Sequence, residues 1–314
     1  KPEGEERKEF KGTMVRIGGI PIMLGCFISF FISANFFKLE FDSHIIGLAL
    51  ISFIFFCIGF VDDVFTIQPK PRLVLQFFTT LIAFNTLDNM NFPFIKYYLD
   101  NSRHSYIFLL IISLIFTIVW ITGVTNAINW TDGLDGLAGG ISLVISSGLF
   151  FVFLSLGLYD YALYSIAIAG GCYGFLIHNY KPASIMMGDG GSYFLGFNLA
   201  SLSLIASNNL FLNDNFGNSL TSSLFPFILL AVPIIDMLFV ILFRIFSHKS
   251  PFYPDRNHLH HRLLSAGISY KNAVSIILIL NIFLVSLVYA LFSKSEFIYI
   301  SFIFYSILIL SLKF

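Results

Sequence analysis

Carboxylates, amides and histidines recur in this 314-residue chain at spacings that could do chemistry. Asp62 and Asp63 stand side by side in GFVDDVFTIQPKPR, where an apolar run ends. An uncompensated charge at a membrane boundary is costly, so the pair calls for a cation, an exchanged proton or headgroup water. Lys70 and Arg72, just beyond, could bind a lipid phosphate or act as plain interfacial anchors. Asn126, Asn129, Asp132 and Asp135 follow at three-residue intervals in TNAINWTDGLDGLAGG. That spacing brings polar groups onto neighbouring positions of a helical turn, and the glycines let backbone approach a ligand closely. Two amides and two carboxylates suit a ribose, a uracil edge or a metal-bound diphosphate, although similar letters also cap ordinary loops.

Asp189 is flanked by glycines in MGDGGSYFLGF, just before another apolar stretch. A glycine-rich turn opening a helix presents free N–H groups and a positive dipole end, which favours phosphate. An aspartate there could hold the cation that bridges it. His258, His260 and His261, bracketed by Arg256 and Arg262, make a compact set of donors suited to phosphate oxygens. A zinc site fits them less well, because their spacing is not that of a helical HExxH pair and no cysteine is near. Asp236 follows Pro233 inside an apolar stretch, with Arg244 two turns later on about the same face. An ionisable residue in such a place is a functional candidate or half of a charge pair.

The elements that must position these groups are membrane helices. The chain is 57% hydrophobic and 11% charged, against roughly 25% charged for a soluble domain, which places it in a bilayer. Its net charge is zero, so nothing points to nucleic acid. Cys26, Cys57 and Cys172 lie in apolar stretches and read as packing residues. Stretches of about 20 apolar residues predict about ten spans, near 18–37, 45–61, 73–87, 105–122, 137–157, 161–178, 191–212, 222–246, 272–292 and 297–313. With both ends on one side, that side receives fourteen of the 18 Lys and Arg, leaving only Lys38, Lys96, Arg103 and Lys294 opposite. This positive-inside bias assigns residues 1–17, 62–72, 123–136, 179–190 and 247–271 to the cytoplasm. The reading is one all-α polytopic domain over residues 1–314. The chain opens without Met in a hydrophilic segment, and an eleventh helix is expected to precede it.

Taken together in this order, RIGGI (16–20), GFVDDVFTIQPKPR (59–72), TNAINWTDGLDGLAGG (125–140), MGDGGSYFLGF (187–197) and PDRNHLHHRLL (254–264) resemble the polyprenyl-phosphate N-acetylhexosamine-1-phosphate transferases. That family includes the phospho-MurNAc-pentapeptide translocase and the GlcNAc-1-phosphate transferases that start O-antigen, lipopolysaccharide and teichoic-acid synthesis. The resemblance implies a multi-pass enzyme of the bacterial inner membrane with its site facing the cytoplasm. It implies Asp62, Asp63 and Asp189 at the catalytic centre. Asp189 and Asp132 are the expected ligands of Mg²⁺, which Mn²⁺ could replace. It implies Asn126, Asn129, Asp132, Asp135, Arg256, His258, His260 and His261 on the nucleotide sugar, and Lys70, Arg72 and Lys11 on the lipid phosphate. In the first loop Phe10 stands where the family has a His, and Val15 where it has a Pro. The implied partners are a UDP-N-acetylhexosamine, undecaprenyl phosphate and the bilayer, with a homodimer left open. PDRNHLHHR resembles the GlcNAc-1-phosphate branch more than the alternative MurNAc-pentapeptide branch. Glycine-broken helices with buried Asp and Asn would also fit a secondary transporter, but its groups would lie near the midplane, whereas these cluster at one face.

Overall fold

In a computed structural model the chain is described over residues 16–38, 43–87, 90–91, 106–180, 182–212, 219–251, 253 and 255–292. Among these residues all regular structure is helical: α1 (Gly19–Phe36), α2 (Ser43–Phe65), α3 (Pro69–Thr86), α4 (Tyr106–Thr131), α5 (Leu137–Ser155), α6 (Tyr159–Asn179), α7 (Gly188–Leu212), α8 (Ser219–Leu229), α9 (Ala231–Phe246), α10 (Leu259–Ser265) and α11 (Tyr270–Phe292). Seven of them are long and apolar enough to cross a membrane, and α8 with α9 makes an eighth, bent by 73°. The span expected at 73–87 falls in α3, which Lys70, Arg72 and Gln76 keep below that apolarity. The span expected at 297–313 lies outside the described residues, as does Lys11.

Three expected boundaries are corrected. The stretch at 222–246 is not one straight helix: it breaks at Leu230, because Pro233 has no N–H for the carbonyl of Leu229 and its ring crowds that turn. The segment 123–136 is not all loop, since α4 runs on to Thr131 and carries Asn126 and Asn129 in its last turns. Nor is 179–190 all loop, since α7 begins at Gly188 and holds Asp189 in its first turn. In both places polar side chains find partners without the backbone having to leave the helix.

Helices α5 and α7 are central, with 89% and 83% of their most apolar stretch buried, against 28% for α4 and 33% for α1. α5 is apolar nearly all round, as a buried helix should be. α7 is not: Asn198, Ser201, Ser203, Ser207 and Asn208 are fully buried on it. Most of these turn back onto backbone carbonyls, as Asn198 does to Phe194 (2.8 Å) and Ser203 to Ala200 (2.7 Å). Small and self-satisfied side chains let neighbouring helices approach closely without a hydrocarbon penalty. The tightest approaches occur at the start of α7. A Cβ on Gly59 of α2 would lie 2.2 Å from the Asp189 carbonyl oxygen, and one on Gly19 of α1 would lie 2.3 Å from the Gly191 nitrogen. Two backbone hydrogen bonds, Gly18 N–H to Met186 O (2.8 Å) and Gly19 N–H to Met187 O (2.9 Å), stitch the same place. RIGGI is thus a contact surface, and glycine is what it needs.

These approaches predict opposite outcomes for two glycine-to-alanine changes. Gly59→Ala should destabilise the protein by about 1–3 kcal/mol through overpacking. Gly174→Ala, on the exposed face of α6 with nothing within 4 Å, should gain up to about 1 kcal/mol of helix propensity. Thermal unfolding in detergent would measure both, and a neutral Gly59→Ala would disprove the close α2–α7 crossing.

Candidate active site

The carboxylates expected from the sequence do meet, because the end of α2 crosses the start of α7. Asp62 and Asp63 nevertheless sit in different surroundings. Asp62 is 5% exposed, and both its oxygens are engaged: Oδ1 accepts the Ile67 N–H (2.7 Å) and Oδ2 pairs with Arg72 (2.6 Å). Asp63 accepts the Gly190 N–H at Oδ2 (3.0 Å), while its Oδ1 is buried without a hydrogen-bond partner among the described residues. Gly188 permits this arrangement. Its φ is +77°, and a Cβ there would strike Asp63 Oδ2 at 2.6 Å, so only glycine fits the turn on both counts.

Asn129 reaches across from α4. Its Nδ2 donates to Asp189 Oδ1 (2.6 Å) and lies 2.9 Å from Ser192 Oγ. Arg72 approaches the other Asp189 oxygen at 3.8 Å and covers the Tyr193 ring at 5.6 Å. Asp189, Asp132 and Asn129 line one open cavity with Arg16, Met186 and Gly188. Asn126 is one turn further into the bundle, donating to the buried Gln76 of α3 (2.8 Å), so it braces α3 against α4. Asp135 closes the turn after α4, where its N–H donates to the Tyr270 hydroxyl. Lys70 is exposed at the start of α3.

Among the described residues no group of three or more His, Cys, Asp or Glu closes around a metal. Mg²⁺ does not require one. It keeps several waters and is usually held by one or two carboxylates plus substrate phosphates. Asp132 and Asp189 on one cavity wall are a donor set of that kind.

The histidine segment packs inward more than a phosphate-facing loop would. His258 is 8% and His260 2% exposed, whereas His261 is half-buried and Arg256 exposed. The rings of His258 and His260 lie parallel, 5.6 Å apart, and Trp130 meets His258 edge-on at 5.6 Å. His260 sits against Gly133, where a Cβ would come within 2.4 Å of its Nε2. Burial, reinforced by the charges of His261 and His258 and opposed by Asp236, pushes the His260 imidazole down to about 3. Asp236 and Arg244 do not pair with each other. Asp236 takes His258 and Arg244 takes Asp255, at 2.9 and 3.1 Å. Burial works against ionisation of Asp255, but hydrogen bonds from Arg244 and Asn257 outweigh it and hold the carboxyl at about 2.

Several residues at this site escape sequence reasoning. Arg16 lines the cavity, yet in the sequence it is one of many interfacial cations. Gln76 is fully buried, and a lone amide four residues after Arg72 in an apolar helix was the available signal. Trp130 covers Arg244 at 4.9 Å and reads in sequence only as an interfacial aromatic.

Residues 45–207 match the family model described as glycosyl transferase family 4, a stretch that includes Asp62, Asp63, the Asn126–Asp135 block and Asp189. The chain is 32% identical over 311 residues to a probable undecaprenyl-phosphate N-acetylglucosaminyl 1-phosphate transferase of Bacillus subtilis, covering 98% of this chain and 81% of that protein. It is 31% identical over 281 residues to the decaprenyl-phosphate N-acetylglucosaminephosphotransferase of Mycobacterium leprae, covering 83% and 69%. A phospho-N-acetylmuramoyl-pentapeptide-transferase of Listeria monocytogenes is 31% identical over 217 residues, covering 65% and 64%.

The depressed His260 predicts a pH signature of stability. Between its ordinary value of 6.5 and about 3, the unfolded chain binds a proton that the folded chain refuses. Its contribution is therefore complete above pH 6.5 and is lost progressively as pH falls toward 3. Asp255 adds a separate loss, between 3.8 and about 2. The melting temperature of His260→Gln should therefore fall less than that of the wild type between about pH 6.5 and pH 4. Parallel curves would show that His260 is not held neutral.

Proposed function

The chain belongs to glycosyl transferase family 4, and from that premise we propose that it transfers an N-acetylhexosamine 1-phosphate, GlcNAc 1-phosphate first among the candidates, from its UDP-sugar to undecaprenyl phosphate. UMP is released, and the product initiates a cell-envelope polysaccharide. The observation that carries the reading is the meeting of Asp63, Asp189 and Asn129 at one end of the bundle, beside a cavity walled by Asp132 and Arg16. A transporter would need such groups near the bilayer midplane. The MurNAc-pentapeptide reaction is the second reading, supported by the similarity to the Listeria protein.

In this mechanism an acceptor phosphate oxygen forms a bond to the sugar-proximal phosphorus as the bond from that phosphorus to the UMP oxygen breaks. A polyprenyl phosphate is already anionic near neutral pH, so positioning and charge stabilisation dominate and no strong base is required. Asp189 and Asp132 would hold Mg²⁺, or Mn²⁺ in its place, which neutralises the donor diphosphate. Asn129 orients Asp189 through its 2.6 Å hydrogen bond. Arg72, already tied to Asp62, and Lys70 receive the acceptor phosphate. Asp63 keeps one oxygen for the reacting centre. Arg256 and the histidine segment read the sugar half of the donor, and the site faces the cytoplasm.

Asp189→Asn should lower UMP release at limiting Mg²⁺ by at least about a hundredfold in a protein that still melts near the wild-type temperature. Near-normal turnover would remove Asp189 from the ligand set. Purified protein should release UMP from UDP-GlcNAc with undecaprenyl phosphate, little from UDP-glucose, and none from UDP-MurNAc-pentapeptide. Turnover of the last would move the chain to the peptidoglycan branch, and no release from any UDP-sugar would refute the enzyme reading.

Orientation is tested separately, at exposed positions near opposite ends of the bundle. Cysteines replacing Lys70 and Arg256 should react with a membrane-impermeant thiol reagent only from the cytoplasmic side, and one replacing Tyr159 only from the other. Lys70 and Arg256 labelling from different sides would break the single-site reading.

A further inference from the structure

Asp236 lies in α9 just beyond the bend, 7% exposed. An intramembrane carboxylate normally takes the nearest cation, and Arg244 stands two turns along the same helix. Each instead reaches into the segment between α9 and α10. Asp236 spends both oxygens there: Oδ2 lies 2.9 Å from His258 Nδ1, and Oδ1 accepts the Leu259 N–H at 2.6 Å. Arg244 holds the other end, gripping Asp255 with two nitrogens and donating to the Pro251 carbonyl.

His258 is the N-cap of α10 and makes no cap hydrogen bond with its own side chain, so Asp236 caps this helix from another element. An ionised carboxylate only accepts hydrogen bonds, so the imidazole nitrogen facing it carries a proton. The ring plane is fixed as well, by the edge of Trp130 on one side and the parallel ring of His260 on another. Trp130 adjoins Asn129, which holds Asp189. The histidine is thereby referenced to the same helix end as the carboxylate centre.

Resting on the transferase reading above, we propose that Asp236 is a positioning residue that locks His258 with its proton on Nδ1 and leaves Nε2 as the only ring nitrogen for the nucleotide sugar. The neutral Nδ1–H tautomer is the less common one in water, so removing the carboxylate charge releases the ring to carry its proton on Nε2. The nearly isosteric Asp236→Asn keeps an acceptor for Leu259 while turning an N–H toward Nδ1.

The test uses the full chain in detergent, with UDP-GlcNAc, undecaprenyl phosphate and Mg²⁺. Asp236→Asn should lower kcat/KM for UDP-GlcNAc on the order of 10–100-fold, as loss of an orienting partner does elsewhere. KM for undecaprenyl phosphate should stay within about twofold, and the double variant with His258→Gln should be no worse than His258→Gln alone. Losses that multiply in the double variant, or an equal rise in both KM values, would overturn the proposal, because a loosened fold gives that result. Should Asp236→Asn fail to fold, ¹⁵N NMR of the wild-type histidines decides instead, with His258 assigned by difference from His258→Gln. A protonated Nδ1 is expected, and a bare Nδ1 with protonated Nε2 overturns the lock. Wild-type protein that releases no UMP from any UDP-sugar refutes the transferase reading, and the tautomer is still decided by the spectrum.

Discussion

The site depends on backbones that touch. Where α2 crosses the start of α7, and where residues 18 and 19 run beside 186 and 187, no side chain intervenes. Packing without a hydrophobic driving force relies on such close contact, and small residues are what permit it in a bilayer. The consequence is chemical as well as structural. With the chains this close, Asp63 can accept the N–H of Gly190 directly, and the first turn of α7 presents Asp189 to Asn129 of α4 without an intervening loop. Widening the crossing by one methyl group would separate the carboxylates that the chemistry needs together.

Much of the site was legible in sequence, because its parts violate the surrounding composition. Paired aspartates, a GDGG turn and a triple histidine are conspicuous in a chain with so few charges, and their common face follows from charge bias. Helix ends were less legible, for a physical reason. Asn and Gly favour turns in isolation, which argued for a loop from residue 123. Yet Asn126 is satisfied by Gln76 and by the Thr122 carbonyl, and Asn129 by Asp189 and Ser192, so α4 continues. Three of those four partners, Gln76, Asp189 and Ser192, are fifty or more residues away in sequence, beyond any local rule. The break at Leu230 is the reverse case: Pro233 marks it locally, but the apolar residues on both sides make the stretch long enough for one span.

The two adjacent aspartates show how tertiary context separates like residues. Successive residues on a helix point about 100° apart, so Asp62 turns toward α3 and Asp63 toward α7. The first meets Arg72 and a free N–H at the helix end, which engage both its oxygens. The second meets a glycine turn and keeps an oxygen without a partner. Histidines divide in the same way. His260 is held neutral against Gly133, while His258, two residues earlier, is tied to a carboxylate. A sequence pattern that reads as three equivalent donors is in the fold one ring packed on Gly133, one hydrogen-bonded to Asp236 and one half-buried neighbour.

Charge bookkeeping at the membrane edge explains why the proposed cofactor is a divalent cation. Asp255 is matched by the guanidinium of Arg244, and Asp236 has both oxygens hydrogen-bonded, to His258 and to the Leu259 N–H. Around the cavity the balance differs: Asp62, Asp63, Asp132 and Asp189 face two guanidiniums, Arg72 and Arg16. Were all four ionised, the excess would be two negative charges, in surroundings where unpaired charge is expensive. The donor that must enter carries a diphosphate and the acceptor a phosphate, so each arrival would deepen the imbalance. Additional arginines would bind the anions but would also hold the product. A divalent cation held by Asp189 and Asp132 would offset that charge, and would make the acidic lining compatible with anionic substrates.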